Sequence, residues 1–330
     1  MSRNLIPLSL AATLLAGTAM AEVPRAAVDI APLHSLVARV MDGLGAPSLI
    51  VQSGSSPHEY SLRPSEAEAL QSADIVFWLG EDLTPWMAGA VETLAADAEV
   101  VEILESDGTF LLEFREGALF EAHDHGDTDH DEHDEGEGHD HDHEEHAEAE
   151  GDHHDHAHAH GAHDPHAWLS LRNAATWLNL IAARLSAADP ENAGVYFANA
   201  AAARDELTTV TAEVNAILDP VRGGKFIVFH DAYQYFEMDF EFPASGAISL
   251  SDASDPSPAR IAEIRGRVAS EGVDCVLAEP QFNPGLVAAV IEGTEAKTAV
   301  LDPLGSDLDP GPELYPQLLR NLATSLAGCL

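Results

Sequence analysis

Basic residues are scarce in this chain of 330 residues: 15 Lys and Arg stand against 57 Asp and Glu, a formal net charge of −42. A surface so acidic repels a phosphate backbone and an anionic bilayer alike, which excludes nucleic acid as a partner. Long apolar runs are missing too. No stretch approaches the about 18 unbroken apolar residues of a membrane-spanning helix. The one short run, Leu5–Leu15, follows Arg3 and precedes the small-residue site Ala19-Met20-Ala21. That order reads as a cleaved export signal over residues 1–21, with Glu22 opening the mature chain. No cysteine lies near the cleavage point to carry a lipid anchor, so a soluble product in the periplasm is expected. Cysteine is nearly absent altogether. Cys275 and Cys329 sit neither in a CxxC nor beside a His, which argues against thiol catalysis. In an oxidising compartment the pair reads as a disulfide. It would tie the C-terminal helix to a core strand and close a loop of about 55 residues, worth about 4 kcal/mol in the chain-entropy model.

What is present is a repeating α/β pattern. Strands are expected at Ala26–Ile30, Ser48–Gln52, Asp74–Leu79 and Val100–Leu104, with helices at Pro32–Asp42, Pro64–Gln71 and Pro85–Ala96 between them. Each helix carries Pro in its first turn, where the missing N–H costs nothing. A second block has strands at Phe226–Phe229, Ala247–Ser249, Cys275–Ala278 and Ala299–Leu301, and helices at Ser257–Ser270, Pro284–Ile291 and Pro312–Ala327. Alternation of this kind predicts parallel sheets covered on both faces. Two α/β lobes follow, over residues 22–120 and 222–330, joined by linking helices in 164–221. The first linking helix covers Asn173–Ser186. The second starts with Asp189 as N-cap and Pro190 at its first position and runs to Leu218, a stiff strut of roughly 40 Å.

Residues 121–163 differ from everything around them. They hold 14 His, 17 Asp or Glu and no Lys or Arg. With almost nothing to bury, such a tract is expected to be a disordered loop. Its imidazoles are His123, His125, His130, His133, His139, His141, His143, His146, His153, His154, His156, His158, His160 and His163. Together with the carboxylates they make a weak, multivalent accessory site for a soft cation such as zinc. Near misses to hydrolase motifs occur here, HDHGDT at 123–128 and the HEEH at 143–146, as expected by chance in so His-rich a stretch.

Four histidines remain. His34 reads as an ordinary helix residue. His58 follows the second strand, His230 ends the first strand of the second lobe, and His166 lies on the connection between lobes. Open parallel sheets present ligand sites at the carboxyl ends of their strands, so His58 and His230 project toward the crevice between lobes from opposite sides, and His166, on the segment joining the lobes, can reach the same place. A fourth ligand from the second lobe is expected at Asp302, at the end of its last strand, with a helix or turn cap ahead of Pro303 as the alternative role. Three imidazoles and one carboxylate suit a tetrahedral Zn²⁺ site.

The strings PHEYSLRPSEAEALQSADIVFWLGEDLTPWM, DPHAWLSLRNA, FIVFHDAYQYF, VLAEPQF and LDPLG occur in this order across nearly the whole mature chain. They resemble the periplasmic zinc-binding components of high-affinity zinc ABC importers, in the metal-specific solute-binding protein 9 family. The resemblance implies two α/β lobes bridged by a rigid backbone helix, with the transported Zn²⁺ held between them by His58, His166 and His230. It leaves the fourth position to Asp302, to Glu59 or to water, since Pro57 occupies the place where some members carry a glutamate. It also implies a disulfide matching Cys275 and Cys329. The partners it implies are a membrane permease and an ATPase, with a periplasmic zinc chaperone as a further one, acting on a monomer that is not an enzyme. Manganese-binding relatives replace the third His by Glu, so His230 favours zinc over manganese. Ligation needs neutral imidazoles, so binding is expected to weaken below about pH 6. The readings from other classes are an exported zinc hydrolase, which would need an open metal position and a general base, and a metal-storage protein centred on the His-rich tract.

Overall fold

The computed structural model describes residues 22–115, 120, 163–249 and 256–330. The expected export signal and the tract histidines from His123 to His160 lie outside these residues, as does the expectation that the tract is disordered; of the 14, only His163 is described.

Among the described residues, eight strands form two parallel sheets of four. The first contains β1 (Ala26–Val28), β2 (Ser48–Leu49), β3 (Ile75–Trp78) and β4 (Glu99–Glu102), in the order β2-β1-β3-β4. The second contains β5 (Phe226–His230), β6 (Ala247–Ser249), β7 (Cys275–Ala278) and β8 (Lys297–Val300), in the equivalent order β6-β5-β7-β8. The inner strands β1, β3 and β5 are buried along their whole length and, up to His230 at the end of β5, read as apolar runs, as parallel strands covered on both faces do. The outer strands β4 (EVVE) and β8 (KTAV) are mostly exposed. Each strand lies within a few residues of its expected place.

The helices are α1 (Ala31–Val40), α2 (Pro64–Ser72), α3 (Ala88–Leu94), α4 (Leu171–Ala188), α5 (Ala193–Leu218), α6 (Gln234–Asp239), α7 (Pro258–Glu271), α8 (Pro284–Ile291) and α9 (Leu314–Cys329). Period-two alternation splits each sheet between two cores. In the first, Ala27, Val76 and Trp78 pack outward with Leu70 of α2 and Val91 of α3. In the second, Ile227, Phe229 and Val276 pack outward with Ile264 and Val268 of α7 and Val287 of α8. The opposite faces meet in one continuous core, in which Val28 and Phe77 of the first sheet and Val228 and Leu277 of the second share Trp177, Ile181, Val210, Val214 and Leu319 from α4, α5 and α9.

The 26-residue α5 fastens to both halves. On the first side, Asn199 Nδ2 donates to the carbonyls of Val40 (3.0 Å) and Asp42 (2.9 Å), and Glu206 pairs with Arg39 of α1. On the other, Arg320 of α9 donates to Glu213 at 2.7 Å. The start of α5 differs from expectation. Pro190–Asn192 form a single 3₁₀ turn ahead of it, and the buried Asp189 side chain caps no backbone N–H. Its Oδ2 instead accepts from Asn192 Nδ2 (2.7 Å) and the Tyr196 hydroxyl (3.0 Å), which supply the hydrogen bonds that a buried carboxylate needs. The six-residue α6 has no sequence counterpart above: it is too short for a period and lacks a side-chain N-cap. Cys275 and Cys329 form the disulfide, with Cα atoms 5.8 Å apart, joining β7 to the end of α9.

Candidate metal centre

His58 sits on the loop after β2, His166 just ahead of the 3₁₀ turn Ala167–Leu169 that leads into α4, and His230 at the last position of β5. The folds of these segments are fixed by neighbours. The Trp86 indole N–H donates to the Pro57 carbonyl at 2.7 Å, holding the loop that carries His58. Trp168 donates to the Pro303 carbonyl at 2.8 Å, and the Tyr315 hydroxyl to the Trp168 carbonyl at 2.7 Å, so the His166 segment is pinned from the second half of the chain.

All three imidazoles line one small pocket, together with Glu279 and an apolar wall that includes Pro57, Trp168, Phe282 and Leu304. The free volume is about 10 Å³, space for one water-sized species. His166 and His230 are buried and face each other, with Nε2 atoms 3.3 Å apart and ring centroids 5.2 Å apart. His58 is half-buried, its ring centroid 5.5 Å from that of His166. Among the described residues, no three His, Cys, Asp or Glu side chains already close to a metal cage. The approach is pairwise, with His58 alongside.

Each facing imidazole has a buried carboxylate behind it. Asp164 Oδ1 lies 2.7 Å from His166 Nδ1 and also accepts the His166 amide at 3.0 Å. Glu279 Oε1 lies 2.8 Å from His230 Nδ1 and accepts the His230 amide at 3.3 Å. An Nδ1–H donated to each carboxylate leaves both Nε2 lone pairs directed into the pocket. Two lone pairs at that separation repel unless a proton or cation lies between them. Two nitrogens bound at 2.0–2.1 Å to a tetrahedral zinc would stand about 3.3 Å apart. The Asp164 carboxyl is pushed up to about 7 by its burial, against the opposing pull of the His166 amide and the Arg115 charge. Burial also raises Glu279, against the pull of His230. A positive charge in the pocket offsets both penalties.

Asp302 is not brought to this pocket. Its Oδ2 accepts the Ser306 amide and hydroxyl, both at 2.5 Å, and its Oδ1 accepts the Leu304 amide at 3.0 Å. It thus serves the turn after β8, where Gly305 takes φ +70°. Glu59 is exposed. His34 is buried in α1 with Nε2 3.1 Å from the Pro47 carbonyl, and burial lowers its pKa, so it is a neutral core residue. Sequence reasoning missed Asp164 and Glu279 as partners. Asp164 was legible in the DPH string, two residues before its histidine. Glu279 directly follows β7, the strand paired with β5, and the carboxyl-end rule that flagged His230 applies to it equally.

Two parallel sheets thus share a central core, with His58 and His230 brought together from the carboxyl ends of β2 and β5. The family profile described as ZnuA, zinc-uptake complex component A periplasmic, matches residues 27–329. A high-affinity zinc uptake system protein ZnuA of Brucella abortus is 49% identical over 99% of both chains. One of Paracoccus denitrificans is 48% identical over 94% of this chain and 93% of its own. A crystal structure of ZnuA shares the fold, with a TM-score of 0.69 and 22% identity over 93% of this chain and 99% of that one. The chain belongs to the ZnuA family.

Proposed function

We propose that this chain captures one Zn²⁺ in the pocket between its two sheets and delivers it to an ABC importer, on the periplasmic side of the inner membrane. The observation that carries the reading is the pair of Nε2 atoms 3.3 Å apart, each ring anchored through Nδ1 to a buried carboxylate. His166 and His230 are assigned as the first ligands met by the ion, and His58 as the third, drawn in from the loop after β2. The fourth position is assigned to a water, because Asp302 would have to leave Ser306 and Leu304 to reach the ion. Membership of the ZnuA family and the zinc-uptake names of its relatives support zinc as cargo. The same reading takes residues 1–21 as a cleaved signal, residues 22–120 and 222–330 as the two lobes, and the tract around 121–163 as a weak accessory zinc loop. Its partners are the permease and ATPase of the importer, with a periplasmic zinc chaperone as a further one. The protein works as a monomer, by capture rather than turnover.

The test is zinc titration of the metal-stripped protein by calorimetry. One tight site per chain is expected. Alanine at His58, His166 or His230 should each weaken it by more than about 100-fold, beyond the 10- to 100-fold cost of disturbing an outer-shell partner. Asp302→Asn should leave it unchanged. Tight binding that survives loss of all three imidazoles would move the function to the tract and refute the assignment.

A further inference from the structure

Arg115 is one of only 15 basic residues in a strongly acidic chain, yet its side chain is 18% exposed and points inward. Its guanidinium forks across two buried carboxylates. Nε donates to both oxygens of Asp231 at 3.0 Å, Nη2 donates again to Asp231, and Nη1 and Nη2 donate to Glu237 at 2.8 and 3.1 Å. Asp231 directly follows His230. Glu237 belongs to α6 and also accepts the Ala244 amide at 3.1 Å.

Arg115 itself comes from the other half of the chain, on the segment that leaves β4 and leads into the His-rich tract. That outgoing segment is zipped to the one that returns. Glu113 bridges to His163, and the Asp164 amide donates to the Leu112 carbonyl at 2.8 Å. Tyr235 of α6 closes the group, its hydroxyl accepting the Leu112 amide at 2.9 Å and donating to the Asp164 carbonyl at 2.8 Å. The fork therefore supports His230 through Asp231. Through the zipped segments it also supports Asp164, which orients His166.

Building on the zinc reading of the pocket, we infer that Arg115 is a positioning residue of the metal centre, fastening the foot of the His-rich insert to α6 and the end of β5 so that the His166 and His230 imidazoles keep their facing geometry. A lysine cannot replace it, because a point charge on a flexible stem does not hold two carboxylates in a fixed fork.

The experiment measures zinc affinity, thermal stability and the visible spectrum of the Co²⁺-loaded full chain for the wild type, Arg115→Lys, Arg115→Gln, and Arg115→Gln combined with Asp231→Asn and Glu237→Gln. Arg115→Lys is expected to keep the fold, weaken zinc about 10- to 100-fold, and lose intensity in the tetrahedral cobalt bands. Arg115→Gln should do the same at a lower melting temperature, since it strands two buried charges. The triple variant should regain stability without regaining affinity. An Arg115→Lys protein with wild-type zinc affinity and cobalt spectrum would overturn the inference, as would a triple variant that recovers both. Failure of the wild type to bind one tight zinc would instead remove the underlying reading of the pocket.

Discussion

At Asp29, just past the end of β1, a carboxyl is completely buried and accepts the Ile30 amide at 2.7 Å and the Leu79 amide at 2.8 Å. Burial outweighs those bonds and pushes its pKa up to about 7. A carboxyl that holds its proton more tightly folded than unfolded stabilises the fold fully below about pH 4 and loses that contribution as pH rises through 7. Stability of the metal-stripped protein should therefore fall by up to about 1.4 kcal/mol per pH unit across this window from this group alone. Asp231, Glu237 and Glu279, also raised by burial, add slopes of the same sign. Urea unfolding at pH 4.5 to 7.5 should show a flatter dependence for Asp29→Asn than for the wild type, and parallel curves would disprove the assignment. At this scale the sequence exposes types and spacings but not partners. His58, His166 and His230 stood out against a background of tract histidines because each sits at a strand end or lobe junction. Asp302 stood out for the same reason, and its capture by Ser306 depends on a turn whose closure the sequence does not display.

Among the elements, α9 and β7 are joined by the bond between Cys275 and Cys329, 54 residues apart. Removing it by Cys275→Ser with Cys329→Ser, or by reduction, should lower unfolding free energy by about 4 kcal/mol at most in the chain-entropy model. The denaturant midpoint with and without dithiothreitol reads this, and an unchanged midpoint would show that the core around Leu319 and Leu326 alone anchors α9. Most elements were legible. Pro at the helix starts and short apolar strands are local signals with local causes. Asp189 and α6 were not: the buried Asp189 carboxylate accepts from the nearby Asn192 and Tyr196 side chains in place of a backbone N–H, and α6 is held by contacts of Tyr235 and Glu237 to Leu112 and Arg115, more than a hundred positions away.

For the whole molecule, the tract from 121 to 162 connects two segments that are already zipped at Glu113 and His163, next to the pocket but apart from its lining. Deleting 121–162, which spares Arg115 and His163, should leave one tight zinc per chain and remove only weak additional binding. Loss of the tight site in equilibrium dialysis would show that the tract supplies a ligand. The tract carries 17 of the 57 acidic residues and none of the basic ones, so 40 acidic residues against 15 basic remain outside it. The acidity belongs to the lobes as well as the tract, and both disfavour anionic partners. Composition, the α/β alternation, the cysteine pair and the three lone histidines were determined by the sequence itself, because each follows from local pattern or from chemistry that no neighbour can change. Tertiary structure alone decided which carboxylate stands behind which imidazole, that Asp302 serves a turn, and that Arg115 reaches across to Asp231 and Glu237. Those choices rest on distances between residues far apart in the chain, and only the packing of two sheets onto one shared core sets them.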